Sequence, residues 1–307
     1  MKPKAIFFVF LCTLSIYASA QSPITIKDGT TRHGPEKGSL IIIGGGGSAP
    51  DIWSKFTELA GGKEKAKIVV VTTAGDNPSD TRLVEGIKRA TGITQVTALH
   101  TTDVNEANSK SFTAVLDEAT GVFFGGGRQF RVADAYLNTL THQAFWGVLE
   151  RGGVIAGSSA GASIQGSILW RGDSKGPHIL LGDHSQGLGF LKNAAIDQHL
   201  LRFNRQFDLL ELVSWSPSTI GIGIDEATAV LVQKDVIEVL GVSYVAIYDY
   251  ATITGSGERK ESDDNRNSHS LAGYVVSQIP NTPFFFLSKG QKYDLKERKV
   301  IEYQRTR

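Results

Sequence analysis

Gly157-Ser158-Ser159-Ala160-Gly161 fits G-x-S-x-G, the pattern that presents a serine hydroxyl on a sharp turn between a strand and a helix. Apolar Val154-Ile155-Ala156 precedes it, and helix-compatible sequence from Ala160 to Leu169 follows. Small neighbours let the chain pass close to a serine held in a strained backbone conformation. A helix starting at the next residue aims free N–H groups and a positive dipole end at any negative charge that forms there. A glycine/serine loop, or a small-residue cradle for phosphate, is the other use of such a stretch. The strand before and the helix after favour nucleophilic chemistry.

A serine hydroxyl needs an adjacent base, and a carboxylate commonly orients that base. The chain has seven histidines: His33, His100, His142, His178, His184, His199 and His269. His199 is the best placed, because it follows a short apolar strand, opens a helical pattern and lies forty residues after Ser159. His178 and His184 compete from the loop nearer the serine, and capping a helix is the ordinary alternative for His199. The single cysteine, Cys12, falls in the first twenty residues, so disulfides and thiol nucleophiles are excluded from the rest of the chain. The histidines are scattered, with no H-E-x-x-H pair and no cysteine ligands, so neither a metal nor another cofactor is expected.

Short buried strands must position these residues. Leu40-Ile41-Ile42-Ile43, Lys67 to Thr73, Val96 to Leu99, Gly121 to Phe124 and Val154 to Ala156 read as strands. Between them Ile52 to Leu59, Asp80 to Ala90, Ser109 to Asp117, Phe130 to Leu140 and His142 to Arg151 carry helical patterns. This alternation predicts an α/β fold with a mostly parallel sheet and helices on both faces. Glycine loops Gly44–Gly47, Gly125–Gly127 and Gly157–Gly161 would then lie at the strands' carboxyl ends, where such sheets hold their sites. The first lacks the third glycine of G-x-G-x-x-G and is not expected to bind a nucleotide. Further on, Ala194-Ala195-Ile196 leads to Asp197-Gln198-His199, and Leu200 to Val213 reads as a helix. Gly221 to Val232 reads as strand, tight turn and strand; Val236 to Leu240 and Val245 to Tyr248 add strands, and 256–270 an exposed polar loop.

Lys2 and Lys4, the apolar run Ala5 to Tyr17 and the cut Ala18-Ser19-Ala20 make residues 1–20 a signal peptide, with Gln21 the first mature residue. The expected plan is an exposed arm over 21–36 and one hydrolase domain over 37–307, secreted or periplasmic. The formal charge is +1, about −1 without the two signal lysines, so neither nucleic acid nor an acidic membrane surface is an expected partner.

Four motifs give the chain a familiar look: Phe124-Gly125-Gly126-Gly127-Arg128-Gln129, then Gly157 to Ser163, then Asp197-Gln198-His199, then Gly221-Ile222-Gly223-Ile224-Asp225-Glu226. In this order and at about this spacing they resemble the cyanophycinase branch of peptidase family S51, which also holds the aspartyl dipeptidases. The resemblance implies a flavodoxin-like, class I glutamine amidotransferase-like fold. It implies Ser159 as nucleophile, His199 as base, and an oxyanion hole from the backbone at Gly127 or Arg128 with the N–H of Ala160. Gln129 and Gln198 would contact substrate, with Asp197 beside them. The acidic member would fall in the loop after the elbow helix, which points to Asp173 in Arg171-Gly172-Asp173-Ser174; capping a turn is that residue's other use.

The pattern also departs from the family. Cyanophycinases follow Asp-Gln-His with several arginines that help to hold a β-aspartyl-arginine unit. Here Arg205 matches one, while Phe203 and Asp208 stand at two others. Neither can supply the guanidinium fork. The reading is an exported serine peptidase, its partners a peptide substrate (cyanophycin or another β-aspartyl or short acidic peptide) and a second copy of itself as homodimer. An esterase of the α/β-hydrolase type shares G-x-S-x-G but not the other motifs, an amidotransferase would carry cysteine at the elbow, and a non-catalytic binding protein could keep the scaffold alone.

Overall fold

The computed structural model describes residues 33–77, 81–250 and 284–301. The expected signal segment 1–20, arm residues 21–32 and the polar stretch 256–270 lie outside them. The first strand, β1 (Ser39–Ile43), is buried along its whole length, as a run of apolar residues covered on both faces must be. It forms one end of a parallel set with β2 (Ile68–Val71), β3 (Val96–Leu99), β4 (Gly121–Phe124) and β5 (Val154–Ser158), in spatial order β1-β5-β4-β2-β3. Side chains alternate across this sheet. Ile41, Ile43, Val70 and Phe123 pack under α1 (Pro50–Leu59) and α2 (Arg82–Thr91). Leu40, Ile42, Val71 and Phe124 face the opposite core with α5 (Gln129–Tyr136) and α6 (Leu140–Glu150); the short α3 (Val104–Ala107) and α4 (Lys110–Thr113) lie between β3 and β4 in the chain.

After β5 the chain leaves this sheet. A four-residue helix, α7 (Ala160–Ser163), gives way to β6 (Gly166–Ile168), which lies parallel to β7 (Leu191–Gln198) in a second, five-stranded sheet. The helix expected to run to Leu169 stops because Gly166 is a poor helix former and its backbone is needed against β7, where a Cβ would meet the Ala194 carbonyl at 2.8 Å. The helix expected from Leu200 begins only at Asp208, as α8 (Asp208–Trp215). His199 and Asn204, at φ 54° and 55°, keep the intervening segment in turns.

Strands β8 (Ile220–Ile224) and β9 (Thr228–Gln233) look in the sequence like two arms of one unit, yet they pair with different partners. β8 lies between β7 and β11 (Tyr244–Asp249) in the five-stranded sheet; β9 lies between β1 and β10 (Val236–Gly241) in the nine-stranded one. The turn 225–227 is therefore a bridge between sheets. Antiparallel strands complete both: β12 (Phe285–Ser288) beside β11, and β13 (Lys292–Asp294) with β14 (Lys299–Ile301) beyond β10. One continuous apolar core joins the two sheets, Val230 and Val239 meeting Ile222 and Val245, while α8 covers the outer face of the smaller sheet. The described end of the arm is anchored, not exposed: His33 is buried, and its N–H donates to Asp235 at 2.7 Å.

Candidate active site

Ser159 stands where β5 ends and α7 begins, at φ 58° and ψ −114°. Non-glycine residues rarely occupy such a conformation, at a cost of about 1–3 kcal/mol. The surroundings enforce it. Its N–H donates to the Ile43 carbonyl at 3.1 Å, and its own carbonyl accepts from Ala162 and Ser163. The flanking glycines have a steric reason: a Cβ on Gly157 would lie 2.1 Å from the Gly161 oxygen, and one on Gly161 would lie 2.1 Å from the Phe124 oxygen. Strand, turn and helix are pressed together so closely that only hydrogen fits at either position.

His199 approaches from the other sheet. It follows β7, and its N–H donates to the Gly44 carbonyl at 2.8 Å, which ties the end of β7 to the end of β1. Its Nε2 lies 2.8 Å from Ser159 Oγ and its Nδ1 2.7 Å from Glu226 Oε1. An ionised Glu226 holds the proton on Nδ1, leaving Nε2 free to accept from the serine hydroxyl. The glycine loop after β1 proves to be the bed of this imidazole. A Cβ on Gly45 would lie 2.2 Å from His199 Cε1 and 2.5 Å from Nδ1, far closer than contact allows, and the Gly45 carbonyl accepts from Ala227 at 3.0 Å beside Glu226.

Glu226, on the bridge between the sheets, replaces Asp173 as the carboxylate behind the histidine. Asp173 is buried elsewhere: its Oδ1 accepts from Lys175 N at 2.8 Å and its Oδ2 from Asp183 N at 3.1 Å, so it caps a turn. The competing histidines are also placed apart: His178 is exposed, and His184 bonds Asp183 and Asp134 through its two ring nitrogens.

Of the expected oxyanion donors, the Arg128 amide is already engaged, donating to the Ala74 carbonyl at 2.8 Å. The Gly126 and Gly127 amides carry no such bond among the described residues, and a Cβ on Gly126 would lie 3.6 Å from Ser159 Cβ. Ala160, as first residue of α7, contributes one of the free donors of a helix start. The Arg128 side chain instead holds the following loop, donating from Nη2 to the Asp173 carbonyl.

Two residues expected to meet substrate, Gln129 and Asp197, do structural work. Gln129 is buried, its Nε2 donating to the Trp170 and Arg171 carbonyls. Asp197 is 0% exposed, with its two oxygens taken by Arg171 Nε and Nη2 at 2.8 and 3.0 Å. Gln198 is buried too; its backbone carbonyl accepts from Arg205 Nη1 at 2.9 Å, while its side-chain Oε1 has no hydrogen-bond partner among the described residues. Arg171 also bonds Asp208, which explains the acidic residue there: it partners an internal guanidinium. Burial alone would depress the Arg171 pKa, but Asp197 and Asp208 outweigh it and hold the group charged. Arg205 lies across the Phe203 ring at 5.0 Å, and that ring stands 5.1 Å from the His199 ring.

Sequence reasoning missed Glu226, Arg171 and the role of Gly45. Glu226 ends the motif Gly221-Ile222-Gly223-Ile224-Asp225-Glu226, a carboxylate in a turn beside the strand ends. Among the described residues no cluster of histidine, cysteine and acidic side chains could hold a metal ion, and no helix is long and apolar enough to cross a membrane.

Comparison with known proteins points to one family. The model of peptidase family S51 matches residues 40–240. A cyanophycinase of Synechococcus elongatus is 33% identical over 232 residues, 73% of this chain and 72% of that protein. A cyanophycinase of Geminocystis herdmanii is 30% identical over 272 residues, 85% of this chain and 94% of that protein. The crystal structure of a peptidase from an acI-B1 Actinobacterium superposes with a TM-score of 0.59 over 85% of this chain and 98% of its own, at 21% identity, a likeness of fold.

Proposed function

This chain belongs to peptidase family S51, and on that footing we propose that it is a serine peptidase hydrolysing β-aspartyl or related short peptides. The observation that carries the reading is the unbroken hydrogen-bonded line from Ser159 Oγ through His199 to Glu226. Ser159 attacks the scissile carbonyl while His199 takes its proton, and Glu226 stabilises the imidazolium that forms. The Gly126 or Gly127 amide and that of Ala160 donate to the oxyanion, where losing one donor typically costs about 3 kcal/mol. His199 then protonates the leaving amine, and water releases the acyl group with His199 again as base. The elbow at the end of a parallel strand supports a class I glutamine amidotransferase-like reading of the fold. Residues 1–20 support export, tested by finding Gln21 at the N-terminus of protein recovered from periplasm or medium.

The test is incubation with cyanophycin and a panel of β-aspartyl dipeptides, with product analysis, beside labelling by a serine-reactive phosphonate. Turnover with labelling lost in Ser159→Ala is the expected result; p-nitrophenyl acetate hydrolysis without any peptide cleavage would favour an esterase, and no labelling a binding protein.

The bed under the imidazole gives a second test. Gly45→Ala would push a methyl group into the His199 ring. Because a displacement of about 1 Å in a catalytic group can cost 10²-fold, kcat should fall at least on that order. Gly47→Ala, where a Cβ meets nothing within 4 Å, is the control and should keep its rate.

A further inference from the structure

His199 hands its proton to the departing amine, so the residue leaving with that amine stands on the histidine's side of the site. That side is built by the turns 200–207. Phe203 is 53% exposed, its ring tilted against the His199 ring at 5.1 Å. Arg205 lies over it at 5.0 Å, and Arg202 at 6.0 Å. The nearby carboxylates are all spent. Asp197 and Asp208 bind Arg171, and Asp197 also stands 3.6 Å from Arg205 Nη1; Asp225 accepts from the Leu201 and Arg202 amides and from Ser243; Glu226 holds His199. The exposed Arg202 side chain has no carboxylate partner among the described residues. An arriving side chain therefore meets an apolar ring flanked by guanidinium groups, with no anion left to receive a cation.

We propose that Arg202 and Phe203, with Arg205 behind the ring, determine specificity for the leaving residue, selecting one that bears a carboxylate and rejecting arginine. This deepens the peptidase reading and rests on it. An anionic leaving residue gains from the guanidinium groups, and its methylenes cover the ring. An arginine there is repelled and finds its natural acceptors already bound to the internal Arg171. The chain thus departs from the β-aspartyl-arginine pattern by filling its own guanidinium-binding carboxylates.

Binding to the Ser159→Ala protein isolates recognition from chemistry. Calorimetry with β-aspartyl-glutamate, β-aspartyl-leucine and β-aspartyl-arginine should show glutamate bound about tenfold or more tightly than arginine, with the gap narrowing as salt rises. Adding Arg202→Glu should erase or invert that ratio, while Arg202→Lys should keep its sign. Arginine bound as well as glutamate, a ratio unmoved by Arg202→Glu, or no binding by any of the three would each overturn the proposal. Wild-type hydrolysis of the same peptides separates the two readings. Glutamate-selective binding without turnover defeats the peptidase mechanism alone, whereas turnover favouring arginine defeats only this assignment.

Discussion

Ser159→Ala and Ser159→Gly are expected to be equally inactive yet to melt at different temperatures, the glycine variant higher. Both remove the nucleophile, and loss of such a serine from an intact triad costs on the order of 10⁶ in kcat. Both also lose the bond to His199 Nε2, so that term cancels between them. What differs is the backbone. At φ 58° and ψ −114° alanine keeps a strain of about 1–3 kcal/mol that glycine relieves, less about 0.5–1 kcal/mol for the extra freedom of glycine in the unfolded chain. For a chain of this size about 1 kcal/mol moves Tm by roughly 2–4 °C, enough for calorimetry to read. His199→Ala should match the activity loss without the glycine effect. Full turnover in Ser159→Ala would end the nucleophile assignment, and equal melting temperatures would mean that the elbow is not strained.

The parts of this site that were legible in the sequence are those written in local pattern. Ile41 to Ile43 and Val69 to Val71 can be read as buried parallel strands because they are apolar without alternation. The glycines around Ser159 announce close backbone approach because no other residue fits. What could not be read is set by long-range pairing. Nothing local in Gly221 to Val232 says that β8 and β9 separate into different sheets, so nothing says that the turn between them delivers Glu226 to His199. Gly44 to Gly47 resembled a failed nucleotide loop because the imbalance of its pattern was visible and its neighbour, an imidazole more than 150 residues away, was not. Asp197 and Gln129 were assigned to substrate by motif, but their burial and their bonds to the Arg171 segment are properties of the folded chain.

Glu226→Gln and Asp173→Asn should therefore have opposite consequences, and the pair decides which carboxylate belongs to the mechanism. The glutamine keeps size and shape but can turn its NH₂ toward His199 Nδ1. The ring would then place its proton on Nε2, facing Ser159, and could no longer accept from the hydroxyl. A change of this kind in a serine–histidine–acid site lowers kcat by about 10⁴, with little effect on the fold because Glu226 is only partly buried. Glu226→Asp keeps the charge but withdraws it by one methylene, and should fall between the two. Asp173→Asn leaves Ser159, His199 and Glu226 in place. The asparagine keeps one acceptor oxygen and turns an NH₂ toward the other amide, so one of the two part-buried bonds from the Lys175 and Asp183 amides is lost, at about 1–3 kcal/mol, and the penalty should appear in Tm. Activity per folded molecule should stay within a few-fold of wild type. The reverse outcome, with Glu226→Gln active and folded Asp173→Asn dead, would mean that the hydrogen bond between Glu226 and His199 is not the one the reaction uses.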